Sequence, residues 1–197
     1  MCASQPESAE VLAVLGEFKA AQERRVRQYV RFNDAFTEYL RSKDEGPFRQ
    51  LMVDTTRAFA EVNESVRAAE AQLSGDLARP DLAAHLRQLQ EAEGAKLKFT
   101  LVHQALKKEA SMERFSWQQG QEVEQQSSSL GDPSDEEGAH ANGHGHCCSR
   151  PPEPTEEEFN NALTEATLEL QAAVTSINDA LMELQEAEEE LREETET

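Results

Sequence analysis

Seven prolines divide this 197-residue chain unevenly, and their placement limits its fold more than any other feature. Pro6, Pro47, Pro80, Pro133, Pro151, Pro152 and Pro154 leave three long proline-free stretches, then a proline-rich break, then a fourth stretch. Proline removes a backbone donor and clashes with the preceding turn, so long helices must lie between these positions. Each stretch repeats apolar residues three and four apart, the period of an amphipathic helix. Ile177 is the only isoleucine, which argues against a sheet protein. The fold class expected is therefore all-α: an antiparallel bundle or coiled coil of three long helices plus a separate acidic C-terminal helix.

In the first stretch, residues 8–42, Leu15, Phe18, Tyr29, Phe32, Phe36 and Tyr39 form one aromatic-rich stripe. Aromatics at helical spacing are read as core rather than as a base-stacking surface. Gly16 costs about 1 kcal/mol relative to alanine, so bending or fraying is expected in the first turns. Residues 43–46 read as a turn, with Pro47 at the first helical position of the second helix. There Phe48, Leu51, Thr55, Phe59, Val62, Val66, Ala69 and Leu73 make a narrow seam, and Gly75 is placed to close the helix. The third helix starts near Pro80, carries Leu82, Leu86, Leu89, Leu97, Leu101 and Leu106, and is expected to run to about Trp117. Gly94 marks a weak point or a close helix contact. Short links make these helices, residues 8–117, an antiparallel bundle.

Residues 118–154 change character. Ser127, Ser128 and Ser129, a set of acidic residues and a Gly/His tract offer nothing to pack, so a disordered linker is expected. Thr155 and Glu158 then form a capping box that opens an acidic amphipathic helix over 155–194. Phe159, Leu163, Ala166, Leu170, Val174, Ile177, Leu181, Leu184 and Leu191 give it one apolar face. That face needs a partner, either the bundle or another chain, and a homodimer is left open.

The formal charge of −20 is not evenly spread: residues 1–118 carry −1, residues 119–152 carry −5 and residues 153–197 carry −14. A partner with a basic surface suits the last helix, whereas direct DNA binding is disfavoured. No apolar run approaches the roughly 20 residues of a bilayer span, and the start of the chain has no basic and apolar leader pattern, so an intracellular protein is expected. Cys2, Cys147 and Cys148 form no framework of disulfides.

Catalytic motifs are missing, and no enzyme activity or cofactor is expected. His85 and His103 lie on one helix about 27 Å apart, too far to share a ligand. His140, His144, His146, Cys147 and Cys148 have metal-ligand chemistry, but their spacing fits no structural site and the tract reads as low complexity. No metal site is assigned. Arg24, Arg27 and Arg31 line one face of the first helix, with Arg25 beside them, and are candidates for binding a partner. Pairing with Glu17, Glu23, Asp34 and Glu38 on a solvated face is the simpler reading. Trp117, near the end of the third helix, is a candidate packing anchor or contact site.

The stretch from Gln22 to Leu106 resembles the required-for-excision 1-B domain family, helical proteins tied to DNA excision repair. The resemblance is carried by residues 80–90, from Pro80 and Asp81 through His85, Leu86, Arg87, Gln88, Leu89 and Gln90, followed by Glu93 and Leu97. Before them stand Arg24, Tyr29, Tyr39, Leu40, Phe48, Arg49, Phe59, Val66, Glu70, Ala71 and Leu73 at similar spacing. These are packing and surface positions, and no catalytic residue is carried over. The resemblance implies a non-catalytic, nuclear factor for excision repair, or else cytoplasmic, acting through protein partners such as repair or transcription factors with a basic surface. The alternative is a structural coiled-coil adaptor in a cytoskeletal or tethering complex.

Overall fold

The computed structural model describes residues 5–119 and 153–196, which contain five helices and no strand. They are α1 (Gln5–Ser42), α2 (Glu45–Ser74), α3 (Pro80–Ser111), the single turn α4 (Ser116–Gln119) and α5 (Glu156–Glu196). The all-α expectation holds. Among the described residues no helix is long and apolar enough to cross a membrane. Cys2 and the His140, His144, His146, Cys147 and Cys148 tract lie outside the described residues, as does the expected linker apart from its two ends.

The four long helices close around one core. It joins Val11, Leu15 and Phe18 of α1, Val62, Val66 and Leu73 of α2, Leu82, Leu86 and Leu89 of α3, and Ala180, Leu184 and Leu191 of α5. All are nearly inaccessible to water, and each large apolar side chain so buried contributes about 1.5–3 kcal/mol. The acidic helix, separate in sequence, is therefore docked: α5 packs chiefly along α3 and also touches α1. Its buried face alternates Ala166, Ala173 and Ala180 with the larger Phe159, Ile177, Leu184 and Leu191.

At the other end of α1 and α2 the aromatic stripe is core, as its spacing predicts. Phe48 of α2 lies 5.0 Å from Tyr39, 5.8 Å from Phe36 and 6.2 Å from Phe32, ring centre to ring centre. Tyr29 meets Phe59 at 4.8 Å. Offset and tilted pairs of this kind add about 0.5–1.5 kcal/mol each beyond their buried area.

Several helix ends differ from the sequence expectation. Asp44 caps α2 by accepting the Gly46 amide at 3.0 Å, so the helix begins at Glu45 and Pro47 stands inside the first turn rather than at its first position. Gly75 does end α2, but with φ −99°; the left-handed residue of that turn is Ala78, φ 48°. The third helix stops at Ser111, short of Trp117, because Glu113 is left-handed at φ 49° and breaks the ladder before α4. α1 runs on through Gly16, and Gly94 makes no close helix contact: a Cβ at either position would meet nothing within 4 Å.

Candidate functional site

The arginine row on α1 does not converge on one site. Arg24 turns toward α2, its Nη2 donating to Ser65 Oγ at 3.5 Å. Arg27 pairs with Glu23 at 3.5 Å in full solvent, and Arg31 is exposed. Trp117 acts as a packing anchor: its indole Nε1 donates to the Pro154 carbonyl at 3.1 Å, and its ring sits 5.1 Å from Phe115 and 5.7 Å from Phe159. Together with the Ser116 amide donating to Glu153 Oε1 at 2.5 Å, this ties the end of α3 to the start of α5.

The polar centre of the bundle is Arg25, which the sequence reading placed only beside the row. Its side chain is 2% exposed. Nη1 donates to Gln22 Oε1 at 3.0 Å, while Nη2 donates to Asn63 Oδ1 at 2.7 Å and to Gln90 Oε1 at 3.2 Å. Nη1 also lies 4.0 Å from the buried Glu93 carboxylate of α3. One guanidinium thus ties α1, α2 and α3 together, using the planar fork that a lysine lacks. Burial lowers the Arg25 pKa from its ordinary value, and the facing Glu93 and Tyr29 oppose that shift. The Tyr29 phenol is pushed well above its ordinary range, by burial first and by Glu93 second. Its hydroxyl donates to the Glu93 carbonyl at 3.5 Å, and Lys96 Nζ sits 4.0 Å over its ring and 3.6 Å from Glu93 Oε2.

A cavity of about 380 Å³ opens beside this cluster between α2 and α3, bordered by Asn63, Arg67, Arg87 and Glu93. Arg87 is held by Glu70 at 2.7 Å. A second cavity of about 290 Å³ adjoins it, lined by Phe32, Met52, Thr55, Phe59 and Leu101. The two share Phe59, Asn63 and Leu97. The polar groups of this cluster largely engage one another, though Gln22 Nε2 and Glu93 Oε2 have no hydrogen-bond partner. Among the described residues no three metal-binding side chains come together.

The docked α5 is fastened by charge as well as by its apolar face. Lys19 of α1 pairs with the buried Glu188, which also accepts from Arg192 at 2.6 Å. His85 Nδ1 of α3 lies 2.7 Å from Glu183 Oε2. Lys19, His85 and Arg79, the last of which also feels Glu190 and Glu194, thus meet α5 rather than the arginine row.

Part of this chain is similar to known proteins. Residues 13–107, which span α1 from its third turn through most of α3, match the family model described as DNA repair REX1-B. A "Required for excision 1-B domain-containing protein" of Mus musculus is 34% identical over 92 residues, covering 45% of this chain and 54% of the relative. A protein of the same name from Bos taurus is 34% identical over 79 residues, covering 39% of this chain and 44% of that protein. The chain thus spans about half the length of the curated relatives it matches, and α5 lies beyond the matched residues. No solved structure matches the chain. The Arg25, Asn63, Gln90 and Glu93 cluster and both cavities fall inside the matched segment, and over residues 13–107 the chain is similar to the DNA repair REX1-B family.

Proposed function

We propose that this protein is a non-catalytic helical factor required for DNA excision repair, working in the nucleus by binding repair or transcription proteins that present a basic surface. The repair role rests on the family match over α1, α2 and α3. The mode of action rests on one structural observation: docking of α5 leaves Glu165, Glu169, Glu186, Glu189 and Glu190 exposed on the outside of the bundle. A surface of that charge repels the phosphate backbone and attracts a basic protein face. Apolar burial supplies affinity at such contacts at about 25 cal/mol per Å², and charge supplies selection.

The coiled-coil adaptor reading would need the seam of α2 free to pair with a second chain. Phe59, Val62, Val66 and Leu73 are instead taken up inside this chain, each 6% exposed or less.

Proximity labelling by the full chain in cells, before and after ultraviolet exposure, tests the proposal. Enrichment of nuclear repair or transcription proteins after irradiation, reduced when the exposed α5 glutamates are changed to glutamine, is the expected result. Labelling confined to cytoskeletal or tethering proteins would count against it.

A further inference from the structure

The cavity of about 380 Å³ between α2 and α3 is lined by three arginines and three glutamates, so its wall carries no net formal charge. Four of the six are paired: Arg25 faces Glu93 at 4.0 Å, and Arg87 is held by Glu70 at 2.7 Å. Arg67 of α2 and Glu91 of α3 are left over, both exposed and neither in an ion pair among the described residues. Deeper in, Glu93 is 7% exposed and its Oε2 accepts no hydrogen bond, with Lys96 Nζ 3.6 Å away. A buried acceptor without a donor costs free energy, which a visiting N–H recovers.

Gly94, in the middle of α3, borders the same cavity. Glycine weakens a helix at such a position, and the fold does not call for one: its φ is not left-handed, and no neighbour lies within 4 Å of the Cβ it lacks. The missing side chain keeps the cavity wall open. Phe59 and Leu97 carry that wall on into the second cavity, of about 290 Å³, where Phe32, Met52 and Leu101 also stand.

The free charges select the occupant. A carboxylate alone would meet Arg67 but face Glu91 and Glu93, and a cation alone would meet the glutamates but face Arg67. An uncharged molecule would answer none of them. A small zwitterion with an apolar arm answers all three.

We propose that this cavity binds a free α-amino acid with an apolar side chain, its carboxylate at Arg67, its ammonium at Glu91 and Glu93, and its side chain against Phe59 and Leu97. Side chains on a helix lean toward its N-terminus, so Arg67 reaches back along α2 toward Asn63 and Phe59, which line the same cavity. Thr55 is twelve residues from Arg67, about 18 Å along α2, and takes no part. The volume suits such a ligand, since small-molecule sites occupy about 300–1,000 Å³. Either end of a polypeptide carries only one of the two charges, which separates this ligand from a docked protein segment.

Calorimetric titration of the full chain with L-leucine and with L-phenylalanine tests the proposal. Saturable one-to-one binding of at least one of them is the expected result. The N-acetyl and amide forms of the amino acid that binds, each lacking one charge, and glycine, lacking the arm, bind at least about tenfold more weakly. Arg67→Gln and Glu91→Gln each weaken binding by at least about tenfold, and Gly94→Leu, which fills the cavity with a better helix former, removes it. All three changes lie at exposed positions, and unfolding temperatures no lower than that of the unchanged chain show that the fold is kept. No binding of either amino acid up to about 10 mM, equal binding of the capped forms, or binding that survives Gly94→Leu would each overturn the proposal. The titration uses the purified chain and no repair assay, so its failure and a failure of the repair reading are told apart.

Discussion

Arg25 of α1 and Glu93 of α3 face each other across the centre of the bundle at 4.0 Å, each below a tenth exposed. Removing one partner of a buried pair strands the other charge, at a cost of about 3–5 kcal/mol. Arg25→Ala should therefore lower the unfolding free energy by about that amount in a urea titration. Arg25→Lys should recover little, because an ammonium cannot serve Gln22, Asn63 and Gln90 in their three directions. The double change Arg25→Met with Glu93→Leu should recover most of the loss, since it leaves no buried charge. A cost for Arg25→Ala under about 1 kcal/mol, the level of an ordinary surface change, would remove the cluster from the account of the fold.

Docking of α5 predicts a cooperative loss. Leu184 is 3% exposed in the core shared by all four long helices. Leu184→Ala should cost about 2–5 kcal/mol and raise amide exchange in the last third of α5 and in the first half of α3 together. Exchange that rises in α5 alone would mean that the helix is an appendage.

Ala78 holds a left-handed backbone, φ 48°, in the turn where the Arg79 amide donates to the Leu73 carbonyl at 2.7 Å. An L side chain there costs about 1–2 kcal/mol, while glycine gives back part of the gain through the unfolded chain. Ala78→Gly should raise stability by about 0.5 kcal/mol, and Ala78→Val should lower it. Thermal unfolding of the two variants checks the sign.

Acid should weaken the start of α5. The Thr155 amide donates to Glu158 Oε2 at 2.8 Å, and the Glu158 amide donates back to Thr155 Oγ1 at 3.2 Å. The Thr155 amide first, and its hydroxyl second, hold the Glu158 carboxyl below its ordinary value of 4.5. A depressed carboxyl stabilises the fold above its unfolded pKa, and that contribution fades as pH falls through the folded value. Glu158→Gln should therefore lower the unfolding temperature at pH 7, with the difference closing as pH falls below the ordinary glutamate range. Thr155→Ala should cost about 1 kcal/mol at neutral pH.

Local signals in the sequence were enough to predict the helices. Periods of three and four, proline breaks and the Thr155 and Glu158 box are read within one turn of chain, so the all-α class, the four long helices and the aromatic core were legible. The end of α3 at Ser111 was not, because no glycine or proline marks it and the break is made by Glu113. The site was half visible. Gln22 and Arg25 fill the gap in the stripe between Phe18 and Tyr29, and Glu93 follows Leu82, Leu86 and Leu89 in register. A polar residue in a core register is the signal for a buried cluster, and it was present. Which residues on other helices meet it depends on packing between α1, α2 and α3, which no local pattern states. The same holds for α5: its apolar face demanded a partner, but only the packed structure selects α3.

Removal of ultraviolet lesions in cells lacking this protein, with and without re-expression of the full chain, tests the repair role most directly. Slow removal that returns to the normal rate on re-expression is the predicted result. Removal at the normal rate in the deficient cells would contradict it.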